Sequence, residues 1–136
     1  MNRWSLDFAA CFDYHAYDEI TVNVGLVCGI SSATVDAKLD TGSKFCIFQP
    51  SYARWLGLNL RSGIPERIRT ATGSFIAYGH EVRLMIGDLD WSATVYFAEP
   101  EEFPINVVGR VGFLDHLCVG LIDYEQLLYL SSYEAA

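Results

Sequence analysis

Two stretches in the first third of the chain alternate apolar and polar residues with a period of two. That pattern restricts the fold to one built from half-buried strands. In the first stretch Ile20, Val22, Val24 and Leu26 share one face, and Thr21, Asn23 and Gly25 the other. In the second, Ala33, Val35, Ala37 and Leu39 oppose Thr34, Asp36, Lys38 and Asp40. A helix would scatter these residues around its axis, whereas a strand puts each set on one side of a sheet. Gly29-Ile30-Ser31-Ser32 reads as the hairpin loop between them.

The alternation returns further on, with Val82, Leu84 and Ile86 set against Glu81, Arg83 and Met85, and Trp91, Ala93, Val95 and Phe97 against Ser92, Thr94 and Tyr96. Shorter strands are expected at Phe45–Phe48, Ile68–Thr72, Phe75–Tyr78, Ile105–Arg110, Val119–Ile122 and Leu127–Leu130. Gly73-Ser74 is expected to turn one hairpin and Gly87-Asp88 another. Pro50 opens a short helical stretch through Leu56, with Gly57 placed to end it. Asn59–Glu66 reads as loop, and a second short helix is expected at Val111–Leu117. Short strands separated by frequent turn signals predict a mainly β domain, sandwich or barrel.

The 136 residues suffice for one domain and its core, but not for two sizeable domains. The expected core runs over residues 20–130, preceded by an N-terminal extension or edge segment at 1–19. Hydrophobic residues make up 51 % of the chain, which excludes disorder. A net charge of −8, with scattered Lys and Arg, argues against nucleic acid or an anionic membrane as partner. No apolar run reaches membrane-spanning length, and Phe8–Phe12 is too short for a signal-peptide core, so a cytoplasmic protein is expected. Cys11, Cys28, Cys46 and Cys118 lie far apart, as do His15, His80 and His116, and neither set shows metal-ligand spacing. The cysteines are expected as buried reduced thiols. Glu99, Glu101 and Glu102 read as a solvated acidic loop, and Trp55 and Trp91 as core or interface residues.

The chemistry-bearing motif is Asp40-Thr41-Gly42. Hydrolysing a peptide with carboxylates needs two of them about a hydrogen bond apart and sharing one proton, so that one activates water while the other polarises the carbonyl. Such a carboxylate calls for an Asp at a strand end, a neighbouring hydroxyl, and a Gly whose backbone turns sharply and donates its N–H. Asp40, Thr41 and Gly42 supply those types, after the strand Val35–Leu39 and before the apolar Phe45-Cys46-Ile47-Phe48. An ordinary β-turn uses the same residue types.

In this context the sequence resembles the retropepsin-like aspartic peptidases, especially their small bacterial single-domain members, over roughly residues 20–130. Asp40-Thr41-Gly42-Ser43 is similar to the active-site loop. Arg69–Phe75 falls where that family carries its flap hairpin, and Asn106-Val107-Val108-Gly109-Arg110 is similar to its second signature. Leu127–Leu130 sits where such chains end in an interface strand. The resemblance implies half of an acid-protease β-barrel with one or two short helices. It makes Asp40 the catalytic carboxylate, with Thr41 bonding across the dyad and Gly42 offering backbone to substrate or carboxylate. Ser43, Thr72, Gly73 and Ser74 become substrate-binding, and Val107, Val108, Gly109 and Arg110 support the active-site loop. Neither metal nor organic cofactor is implied.

The retroviral members carry an Asp four residues after the catalytic one, paired with the Arg that follows the second Gly. Here Lys44 stands in its place, leaving Arg110 to pair with Asp115 or with solvent. Only one Asp-Thr-Gly occurs, so a dyad needs Asp40 from two subunits, and an obligate homodimer acting on a peptide or protein follows. The cleft is expected to carry apolar pockets. Two other readings stand beside this one: a retropepsin-fold module that binds peptide or dimerises without cleaving, and an unrelated β-barrel with a chance Asp-Thr-Gly turn.

Overall fold

The computed structural model describes residues 2–135, which form two sheets. The larger has the strand order β2-β3-β8-β4-β7-β6-β5, and a further pairing of β2 with β6 closes all but β5 into a barrel. Its strands are β2 (Thr21–Cys28), β3 (Ser31–Leu39), β4 (Ile47–Phe48), β5 (Ile64–Thr70), β6 (Gly73–Ile86), β7 (Leu89–Ala98) and β8 (Val107–Val108). The smaller sheet takes β1 (Ala10–Asp13), β9 (Leu117–Ile122) and β10 (Leu127–Ser132) in the order β1-β10-β9.

Period-two patterning decides which face turns inward. Val22, Val24 and Leu26 of β2, Val35, Ala37 and Leu39 of β3, and Val82, Leu84 and Ile86 of β6 are all buried, joined by Val95 and Phe97 of β7. Their polar alternates face outward, as a half-buried strand requires. Helix α1 (Pro50–Trp55) starts on proline and ends before Gly57, whose φ of 76° stops it. It is the single α-helix among the described residues, and no helix there is long and apolar enough to cross a membrane.

Several sequence expectations need correction. The expected Phe75–Tyr78 strand and the alternating stretch from Glu81 to Ile86 are not separate, since β6 runs unbroken from Gly73 to Ile86 through Gly79. The glycine lies opposite Tyr96, and a Cβ there would meet the Tyr96 ring at 2.9 Å, so it makes room for an aromatic rather than a turn. The hairpin β5–β6 turns at Ala71-Thr72, because Thr70 pairs with Gly73, and β5 begins at Ile64 inside the expected loop. In place of a helix over 111–117 there is one 3-10 turn at Leu114–His116; Gly112, at φ 100°, is outside helical space. Trp55 is 71 % exposed and bonds the Ser32 carbonyl, so it is no core residue. Cys46 is buried, but Cys11 is exposed.

The smaller sheet corrects the reading of Leu127–Leu130 as a strand shared with a second subunit. β10 is the central strand, pairing with β1 from Ala10↔Leu130 to Asp13↔Leu127 and with β9 from Leu127↔Ile122 to Ser132↔Leu117. Both hydrogen-bonding edges are therefore taken within the chain, and Leu128 and Leu130 lie in its own core. The N-terminal segment holds this sheet in place. Ser131 Oγ receives the Ala9 N–H and donates to the Asp7 carbonyl, and the Phe8 ring packs over Gly120.

Candidate active site

Parallel pairing builds the site. β3 and β8 run side by side in register, Lys38 with Val107 and Leu39 with Val108. Parallel neighbours end at the same edge of a sheet, so Asp40 and Gly109 leave it together. The Asp40 N–H donates to the Val108 carbonyl (3.0 Å), extending the ladder by one residue. Two-residue β8 is buried between β3 and β4, which accounts for both apolar residues of Val107-Val108.

Beyond β3 the chain turns tightly, with the Ser43 N–H bonding the Asp40 carbonyl at 3.1 Å. Within the turn the Gly42 N–H donates to Asp40 Oδ1 at 2.9 Å, which fixes the carboxylate's direction. Asp40 itself is half-buried and open to solvent on one side. Ser43 Oγ donates to the Phe45 carbonyl (2.7 Å), stiffening the exit from the turn.

The returning segment then lies against the one after β8. Arg110 N–H bonds the Ser43 carbonyl (2.9 Å), Val111 N–H bonds the Lys44 carbonyl (2.8 Å), and Phe45 bridges to Val111. Gly109 sits beneath this crossing. A Cβ there would collide with the Ser43 carbonyl oxygen and come within 2.6 Å of the Phe45 carbonyl oxygen, so only glycine lets the two segments approach this closely. Cys46 joins them from below: its Sγ accepts the Gly109 N–H at 3.4 Å and lies 3.5 Å from the Val111 carbonyl. Burial pushes the Cys46 thiol up to about 12; the Gly109 N–H works against that shift and the Asp115 charge adds to it. The thiol is a neutral structural bridge.

Farther down, Asn106 and Gln49 tie the same two segments. Gln49 N–H donates to Asn106 Oδ1 (2.9 Å), Asn106 Nδ2 donates to Gln49 Oε1 (3.1 Å), and Lys38 N–H takes the Asn106 carbonyl (2.9 Å). Sequence reasoning placed Asn106 in the second signature but gave neither Gln49 nor Lys38 a role. The signal for Asn106 was its place just before the apolar pair Val107-Val108; Gln49 had none.

The sequence-predicted residues divide into two groups. Asp40, Thr41, Gly42, Ser43, Val107, Val108, Gly109 and Arg110 come together in one double loop. Thr41 lines a hollow beside it with Arg110, Val111, Leu114 and Asp115. Thr72, Gly73 and Ser74 sit apart at the exposed tip of the β5–β6 hairpin. What faces the double loop is the middle of β5: an open groove of about 330 Å³ is lined by Gly42, Ser43, Lys44, Phe45, Ile47, Arg67, Ile68 and Arg69. The Arg110 side chain is exposed and makes no ion pair among the described residues, while Asp115 accepts the Gly112 N–H at 3.0 Å. Of the two partners expected for Arg110, Asp115 is not engaged, and the exposed guanidinium is left to solvent. Lys44 is exposed with its ammonium 5.3 Å from the Phe45 ring centre.

Solved structures share this fold. A retropepsin-like aspartic protease from Rickettsia conorii superposes with a TM-score of 0.60 at 17 % identity, covering 80 % of this chain and 87 % of that one. The EIAV protease, solved with an inhibitor bound, gives 0.55 at 16 % identity, covering 73 % of this chain and 88 % of the other. At such identities the likeness establishes the fold, which is retropepsin-like and mainly β. A search of curated protein sequences finds no match. The sequence pattern of the family described as Aspartyl protease matches residues 21–110, from the start of β2 through the Arg110 that closes the double loop. With two thirds of its length inside that pattern, the chain belongs to the aspartyl protease family.

Proposed function

We propose that the protein is an aspartic endopeptidase whose catalytic dyad forms from Asp40 of two subunits related by a two-fold axis. The observation that carries this reading is the Asp40 carboxylate itself. It stands at a strand end, is oriented by the Gly42 N–H and open to solvent, and is held on a double loop braced through Gly109. Each chain has a single Asp-Thr-Gly, so the second carboxylate comes from a second copy.

Two carboxylates this close share one proton, because both cannot ionise together. The ionised one takes a proton from water as its oxygen attacks the scissile carbonyl carbon. The protonated one gives its proton to the carbonyl oxygen, forming a neutral tetrahedral diol. Breakdown returns a proton to a carboxylate as the carbonyl re-forms, and the leaving nitrogen takes another as the C–N bond breaks. Thr41, exposed beside Asp40, would bond to the partner loop. Val111, 44 % exposed on the neighbouring segment, supplies apolar contact next to it. With β10 enclosed in its own sheet, the surface around Thr41 and Val111 is the better-supported interface.

β5 ends the sheet order, so its outer edge has no strand partner, and its Arg67, Ile68 and Arg69 line the groove. An extended peptide laid there would gain a ladder of backbone hydrogen bonds. The test is digestion of a mixed peptide library by wild type and by Asp40→Asn, read by mass spectrometry. Cleavage by wild type alone, rising faster than linearly with enzyme concentration, is expected. Equal cleavage by both proteins would refute Asp40 chemistry, and activity of a strict monomer would refute the shared dyad.

A further inference from the structure

The groove between the double loop and β5 has an electrostatic character opposite to that of the whole chain. The protein carries 17 acidic residues against nine basic ones, yet no carboxylate lines the groove, whereas Lys44, Arg67 and Arg69 all do. Four of the nine cations are ion-paired elsewhere: Lys38 with Glu19, Arg54 with Glu101, Arg61 with Glu99 and Arg83 with Asp90. None of the three groove cations pairs with a carboxylate among the described residues. Arg67 donates only to the neutral Ser74 hydroxyl, at 3.1 Å. Arg67 and Arg69 stand two apart on β5 and so share one face of that strand. Phe45, Ile47 and Ile68 provide the apolar part of the lining. Three like charges in one small groove repel one another, and an anion placed among them relieves that repulsion.

We infer that this groove selects peptides carrying an Asp or Glu side chain close to the scissile bond. The inference rests on the peptide-cleft reading of the site and adds a substrate class to it. Gly42 fixes the distance, since it bonds the Asp40 carboxylate and also lines the groove. An extended peptide advances about 3.3 Å per residue, so a side chain within about three residues of the cut reaches the cations. Lys44 offers a compact point charge, and the two guanidinium groups offer planar forks that match a carboxylate. The apolar lining then takes the methylene stem of the same side chain or its neighbour. The apolar pockets expected from the sequence are thus rimmed by positive charge.

The first arm of the test tabulates residues around every cut made by wild type in a mixed peptide library at low salt. Asp and Glu are expected within three residues of the cut at about fivefold their library frequency or more, since each partly exposed ion pair contributes up to roughly fivefold. The enrichment should shrink at high salt. It should vanish in the Lys44→Gln/Arg67→Gln/Arg69→Gln variant, with folding checked by circular dichroism. Lys44→Glu should move the preference toward Lys and Arg. Cleavage with no acidic enrichment overturns the inference and leaves the peptidase standing.

The second arm needs no cleavage. Fluorescent peptide pools of matched length, fixed to contain Glu, Gln or Lys, are titrated against Asp40→Asn protein and followed by anisotropy. Tighter binding of the Glu pool, lost in the triple variant, supports the groove assignment even if wild type cuts nothing, in which case the peptidase reading alone falls. Equal binding of the Glu and Gln pools refutes the groove assignment.

Discussion

Replacing Gly109 with Ala adds one methyl group, yet it is expected to unfold the site and much of the barrel's stability with it. The new Cβ would lie about 0.8 Å or more inside ordinary contact distance of two backbone oxygens, those of Ser43 and Phe45. Neither oxygen can swing away as a side chain would, because the first accepts the Arg110 N–H and the second the Ser43 hydroxyl. Overpacking of this kind costs about 1–3 kcal/mol. Weakening the two adjacent hydrogen bonds adds about 0.5–1.5 kcal/mol each. The sum is a loss of roughly 2–6 kcal/mol, which corresponds to a fall of about 1–3 M in the urea midpoint. The measurement is urea unfolding followed by tryptophan fluorescence at fixed protein concentration. Gly25→Ala serves as control, since a Cβ there meets nothing nearer than Met85 Cβ at 3.4 Å. Because the segment that moves carries Asp40, peptidase activity should fall about a hundredfold in whatever fraction still folds. A Gly109→Ala protein as stable as the Gly25→Ala control would refute the claim that backbone apposition demands glycine here.

Three further outcomes are expected. Leu128→Ala should cost about 2–5 kcal/mol of stability independent of protein concentration, because Leu128 is buried within its own chain; a loss that fades at high concentration would mean β10 works at an interface after all. Native protein treated with a thiol reagent near pH 8 should be modified at Cys11, which is exposed, and spared at Cys46, as mass mapping of the labelled peptides would reveal; equal labelling would contradict the buried bridge. The Cys46 thiol is raised from 9.0 to about 12 by burial, so it is neutral in both folded and unfolded chains below pH 9. Between 9 and 12 only the unfolded chain ionises, and wild type should lose stability across that window relative to Cys46→Ala, as urea midpoints at stepped pH would measure.

The long strands were legible because each has one wet and one dry face, as Val22-Val24-Leu26 and Val82-Leu84-Ile86 declare on their own. The double loop was legible for a different reason. Asp-Thr-Gly alone could have been an ordinary β-turn, but the strand before it and the Val-Val-Gly segment later in the chain marked the two segments that meet in the double loop. What stayed hidden depends on partners distant in the chain. Nothing local shows that Gly79 makes room for Tyr96, or that Ala10–Asp13 pairs with a strand about 120 residues away. Nor does Arg67, met in sequence, disclose that it faces Lys44 across a groove. Leu127–Leu130 shows the same gap from the other side, since an apolar run looks alike whether it is covered by a second subunit or by β1 and β9.

Closing the barrel through β2 and β6 leaves β5 outside it, with no strand partner along its outer edge. A bare edge will accept any extended backbone, including another copy of itself. β5 reads Ile64-Pro65-Glu66-Arg67-Ile68-Arg69-Thr70, with a proline that lacks an N–H near its start and two arginines in its middle. Two such strands approaching edge to edge would bring like charges together and lack one donor apiece. The residues that would welcome an acidic peptide therefore also act as gatekeepers, keeping an unoccupied cleft from seeding aggregation.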